Sequence, residues 1–249
     1  MTLKIALARL FLSLLTLSSA TWAAFFLYNA DPSVQMNNVA NGILSGAGFK
    51  QYPLSETALL TSAEGRAVCN PLEVRAAAII RLRLFETATD AADTHLADRR
   101  LKALRSSVNA ALGCAPTDGL LWFVEYWSAV NQGGAVNDHL EELRRSYVFA
   151  PFEGWIALRS PYVLAVYDNL PADLQEMVRK EFVAIVATGL IRDAVRILKG
   201  PGWRFRNELM SGLSKVRLDL RLQLDRALRA EDLIVEIPGV EPREFRPWR

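Results

Sequence analysis

Ala115-Pro116-Thr117-Asp118-Gly119 recurs 35 residues further on as Ala150-Pro151-Phe152-Glu153-Gly154. Each copy follows an apolar run and precedes another, with Trp122 behind the first and Trp155 behind the second. A weaker echo lies upstream, where Cys69-Asn70-Pro71-Leu72-Glu73 parallels Cys114-Ala115-Pro116-Thr117-Asp118 at a spacing of 45. Proline suits the first turn of a helix, because its missing N–H has no partner to lose there. An acid shortly after it favours the positive end of the helix dipole. Each motif therefore predicts one helix ending and the next beginning. Pro116, Gly119, Trp122, Pro151, Gly154 and Trp155 become candidate junction residues of a helical repeat.

Working outward, apolar spacing near 3.6 predicts helices over 72–87, 93–113, 118–131, 136–149, 154–169, 172–188, 190–199 and 203–229. The last carries Leu209, Leu213, Val216, Leu220, Leu224 and Leu228 as one stripe, which predicts a long C-terminal capping helix. Residues 190–229 hold ten Lys/Arg against four acids. Arg204, Arg206, Lys215, Arg217 and Arg221 are the candidate basic surface. It reads either as the solvent face of a cap or as a surface for anionic lipid or polysaccharide. Only Ile234–Ile237 alternates like a strand. The tail 230–249 contains Pro238, Pro242 and Pro247, which predicts an extended arm with Phe245 and Trp248 available as anchors on a partner.

The amino terminus bears on the compartment. Lys4 and Arg9 precede a charge-free run, 10–28, LFLSLLTLSSATWAAFFLY. Nineteen helical residues span roughly 28 Å, about one hydrocarbon core. The basic flank on the amino-terminal side predicts that this end is cytoplasmic and that the remainder is exported. A signal peptide cleaved after Ser18-Ser19-Ala20 is the competing reading, and a buried soluble helix is a third. Residues 29–66, rich in Asn, Gly and Ser, predict a juxtamembrane linker with one short helix around 55–64. Residues 67–229 are then the helical-repeat domain.

The chain has 249 residues, 51% hydrophobic and 22% charged, which excludes a disordered chain. Lys and Arg total 29 against 27 acids, and so even a balance is no signature of nucleic-acid binding. Two cysteines and two histidines exclude the common His/Cys metal clusters. Cys69 and Cys114 stand at equivalent junction positions. In an oxidising compartment they read as a structural disulfide, and otherwise as two buried thiols. His95 and His139 read as exposed helix residues. Asp138 and His139 are neighbours on a helix and point about 100° apart, so they form no self-oriented dyad. No nucleophile elbow, P-loop, dinucleotide fingerprint or HExxH motif is present. Nothing implies a catalytic residue, a metal or a cofactor.

The period and the junctions carry a resemblance. Trp155-x2-Leu158-x3-Tyr162 resembles the tetratricopeptide signature, with Arg159 standing where glycine is expected and Pro161 inside the helix. In the first copy Trp122 matches, while Glu125 and Tyr126 replace Leu and Gly. Ala111-Leu112-Gly113-Cys114-Ala115-Pro116-Thr117-Asp118 and the segment from Ser146 to Trp155 also resemble the VpsP-type polysaccharide-biosynthesis proteins. The resemblance implies an all-α, tetratricopeptide-like array and an accessory role without defined catalytic residues. The expected protein is a single-pass inner-membrane protein of a Gram-negative bacterium. Its periplasmic helical domain would serve as a non-catalytic scaffold or adaptor for protein partners in exopolysaccharide synthesis or export. A periplasmic glycan-acting enzyme using unidentified carboxylates, and a lipid-facing structural subunit, are the alternatives.

Overall fold

The computed structural model describes residues 2–46, 69–151, 153 and 155–241; within these, the side chains of 2–8, 26–33 and 156–158 are not described. The fold is all-α, and no strand occurs among the described residues. The chain divides into two compact units, Met1–Ala115 and Pro116–Arg249. The boundary falls within the first Ala-Pro junction, so residues 67–229 are divided between the two units.

The first unit holds α1 (Thr2–Leu44), α2 (Pro71–Asp90) and α3 (Thr94–Cys114). Helix α1 runs without interruption through 29–44, where a linker was expected. The short helix expected around 55–64 lies outside the described residues. Helix α2 starts as the Pro rule predicts. Asn70 caps it, its side chain accepting from Leu72 N, and Pro71 sits in the first turn. Ala91 to Asp93 turn the chain back, and Asp93 caps α3 by accepting from Leu96 N at 2.9 Å. Leu101, Leu104, Val108 and Ala111, at spacings of three and four, form the buried stripe of α3. Ala76, Ile79, Ile80, Leu84 and Ala88 of α2 are also buried, as are Met36, Val39 and Ala40 of α1, which packs on α2. Arg100 ties the pair together by donating to the carbonyl of Leu84 and to Thr87 Oγ1.

Helix α1 has two characters. Its carboxyl-terminal part is packed. Its described side chains from Leu10 to Phe25 are exposed, with Leu10, Phe11, Leu12, Leu17, Trp22 and Phe25 each at least 60% exposed. Among the described residues no helix is long and apolar enough to cross a membrane. The described side chains of the charge-free run end at Phe25, three residues before Tyr28.

The second unit strings together α4 (Gly119–Asn131), α5 (Leu140–Phe149), α6 (Ile156–Leu164), α7 (Ala172–Ala187), α8 (Ile191–Lys199), α9 (Arg206–Ser211) and α10 (Leu218–Arg229). Short 3-10 turns stand at Val136–His139, Tyr167–Asn169, Pro201–Phe205 and Gly212–Lys215. The single helix expected over 203–229 is therefore four pieces. Its stripe survives, since Leu209, Leu213, Val216, Leu224 and Leu228 are all buried. A straight helix of that length would run about 40 Å, beyond the reach of α7 and α8, which these residues cover. Extended backbone at Val216 and Arg217 lets the stripe bend around them.

Candidate functional site

The repeated junctions meet inside the second unit. Asp118 caps α4, its side chain accepting from Leu120 N and Leu121 N. Pro116 and Pro151 lie in the loops before their helices, not in the first turns, so the cap is the acid itself in the first copy. Pro116 has a second use, because its carbonyl accepts from Trp122 Nε1 at 2.8 Å. Gly119 faces Ala150 of the second junction, and a Cβ at Gly119 would lie 2.4 Å from the Ala150 Cβ. The glycine is required by this close approach. Gly154 lies outside the described residues. The two tryptophans differ: Trp155 is buried, whereas Trp122 is half-buried beneath the Arg145 guanidinium at 4.6 Å.

Beside this contact lies the most concentrated chemistry of the unit. Arg159 on α6 is fully buried. It donates from Nε and Nη2 to Glu181 Oε1 of α7, at 3.1 and 3.0 Å. Its Nη1 donates to Ser146 Oγ at 2.7 Å and its Nη2 reaches the Ala150 carbonyl at 3.4 Å. Ser146 in turn donates to the Gly119 carbonyl at 2.7 Å. Tyr147 donates to Glu181 Oε2 at 2.8 Å, and the Arg159 guanidinium lies 3.8 Å above its ring. Burial pushes the Glu181 carboxyl up, against the pull of Arg159 and of its hydrogen bonds to Tyr147, Arg159 and Ser160. Burial and the Glu181 charge likewise push the Tyr147 phenol well up.

All three Arg159 nitrogens and both Glu181 oxygens are engaged, so neither group is left to meet a substrate. A buried pair of this kind ties α4, α5, α6 and α7 into one arrangement. Sequence reading missed this network. Its visible signal was Arg159 in place of the expected glycine, together with Glu181 bordering the apolar run 182–191.

The other candidates are scattered. Cys69 and Cys114 stand together as a disulfide in the first unit, Cα atoms 5.7 Å apart, joining the residue before the Asn70 cap to the end of α3. The basic candidates do not share one role. Arg204 pairs with Asp168 at 2.6 Å and Arg217 with Asp219 at 2.7 Å. Arg206 donates to the Trp203 carbonyl, Arg221 donates to the Pro238 carbonyl, and Lys215 is exposed. His95 is exposed in the first turn of α3, while the His139 ring packs on Gly134 with its Nδ1 3.8 Å from Glu142 Oε1. Among the described residues no group of His, Cys, Asp or Glu is placed to hold a metal ion.

No protein-family model matches the sequence, and no curated protein or solved structure is similar to it. The tetratricopeptide-like and VpsP-type resemblances therefore rest on the junction motifs alone.

Proposed function

We propose that this protein is a membrane-anchored helical adaptor whose domain lies on the exported side, with residues 10–28 as the anchor. One observation carries the reading: the described apolar side chains of α1 from Leu10 to Phe25 are exposed on every side. Leu10, Phe11 and Leu12 are successive residues and point in three directions, yet all are about 60% exposed. A helix apolar on every side finds its minimum inside a core or in a bilayer, and among the described residues none buries the side chains from Leu10 to Phe25. The hydroxyls in the run support the same reading. Ser13, Thr16, Ser19 and Thr21 donate to carbonyls three or four residues back, which suits hydrocarbon surroundings. The Cys69–Cys114 pair favours an oxidising compartment.

The use of the buried polar groups supports the adaptor role. Arg159 and Glu181 are consumed in holding helices. The envelope system to which the junction motifs point is exopolysaccharide synthesis or export. The protein would act there by holding partners near the membrane, where tethering raises their effective concentration.

The test is alkaline carbonate extraction of membranes from a Gram-negative host expressing the full chain, with thiol trapping on the same samples. The full chain should stay in the pellet with Cys69 and Cys114 oxidised. A Leu12→Arg, Leu15→Arg variant should lose the pellet fraction. Release of the unaltered chain by carbonate, or two reactive thiols in intact cells, would overturn the reading.

A further inference from the structure

In a helical chain, one stretch reads as a strand: Ile234-Val235-Glu236-Ile237. After α10 it is neither helix nor turn, and it is held at both ends. Leu233 N donates to the Leu228 carbonyl at 2.9 Å. Ile237 is buried, and Arg221 donates to the Pro238 carbonyl. Gly239, at φ +71°, turns the chain immediately afterwards, where a Cβ would strike the Arg221 guanidinium.

Between these anchors the backbone is open. Among the described residues, the N–H and carbonyl groups of Ile234, Val235 and Glu236 have no backbone partner. The Ile234 side chain is 68% exposed. A cavity of about 590 Å³ runs alongside, walled by Met210 and Ser211 of α9, Asp225 and Arg229 of α10, and the segment itself. Asp225 and Arg229 pair with each other at 2.9 Å. Glu236 and Glu241 are then the surplus charge of the wall.

We propose that Ile234–Ile237 is a docking edge for an extended peptide of a partner protein, which adds as a strand and carries basic residues alternating with apolar ones. An open extended edge offers main-chain hydrogen bonds to an incoming strand, and neighbouring pockets read its alternate side chains. Here the cavity takes the apolar side chains, and Glu236 and Glu241 meet the Lys or Arg. The proposal is independent of the membrane anchor, because it needs only the folded second unit.

A phage-displayed peptide library panned against the full chain in detergent micelles tests it. Selected peptides should alternate apolar residues with Lys or Arg. Successive N–H groups of a strand point to opposite edges. Ile234→Pro or Val235→Pro, made separately, should therefore weaken binding at least about tenfold, with thermal unfolding unchanged. Glu236→Lys should weaken the basic peptides severalfold without touching the backbone. The proposal is overturned by failure to enrich any peptide, by enrichment of helical i, i+4 patterns, by binding indifferent to all three substitutions, or by self-association of the chain that Val235→Pro removes.

Discussion

Arg159 shows how one residue can be read in two ways. Against the tetratricopeptide signature it is a departure. In the fold it is the node that joins Ser146, Ala150 and Glu181. Removing one partner of a buried pair leaves the other charge uncompensated, and Arg159→Met or Glu181→Gln should each cost about 3–5 kcal/mol. Arg159→Met combined with Glu181→Leu should cost clearly less than the two single losses added, as read from urea unfolding in a double-mutant cycle. Gly119→Ala tests the neighbouring contact. Its methyl would run into Ala150, at about 1–3 kcal/mol, and Ala150→Gly should restore most of the loss.

The tyrosines give a pH signature. Burial pushes the Tyr126 phenol from 10.0 up to about 12, and burial together with the Glu181 charge raises Tyr147 as well. A group whose pKa is raised on folding stabilises the fold fully below its unfolded value and loses that contribution as pH climbs through the folded one. Stability should therefore fall above pH 10. Phenolate absorbance should appear with unfolding rather than before it. Tyr126→Phe should delay the onset.

At the scale of the element, helices were legible wherever one face is apolar. The spacing over 93–113 corresponds to α3 (Thr94–Cys114), and that over 172–188 to α7 (Ala172–Ala187). Two elements were misread for the same reason, which is that local pattern does not report neighbours. Residues 29–44 carry polar and small side chains that suggest a loop, yet Met36, Val39 and Ala40 lie on one face and are buried. Residues 203–229 keep an unbroken apolar stripe, and the bends within it follow from the helices they wrap, which no spacing within the segment encodes. The hairpin of α2 and α3 is stapled at its open end by Cys69–Cys114, a separation of 45 residues. By chain entropy this is worth roughly 4 kcal/mol, and reduction should lower the melting temperature of the first unit correspondingly.

For the whole molecule, the all-helical class was legible and the division at Ala115 and Pro116 was not. The junction motif there looked like every other junction, because a repeat pattern records helix starts and not which helices share a core. Two units with separate buried clusters predict two separable transitions in scanning calorimetry of the detergent-solubilised chain. Reducing the disulfide should move one of them. Arg159→Met should move the other. A single transition shifted by both changes would mean that the units unfold together. The candidate site was only partly legible. Cys69, Cys114 and Gly119 stood out by position, whereas Tyr147 and Glu181 became informative only through the partners that folding supplies.

The unbroken course of α1 sets a phase. Between Phe25 and Met36 the backbone is continuous helix, so the bare apolar segment and the face packed on α2 are locked at a fixed azimuth as well as a fixed distance. One inserted residue at 30–33 would twist that face by about 100° and displace it by only about 1.5 Å. Four would bring it nearly back into alignment. Any torque applied to the apolar segment is thereby delivered to α2 as rotation, like a key turning in a lock.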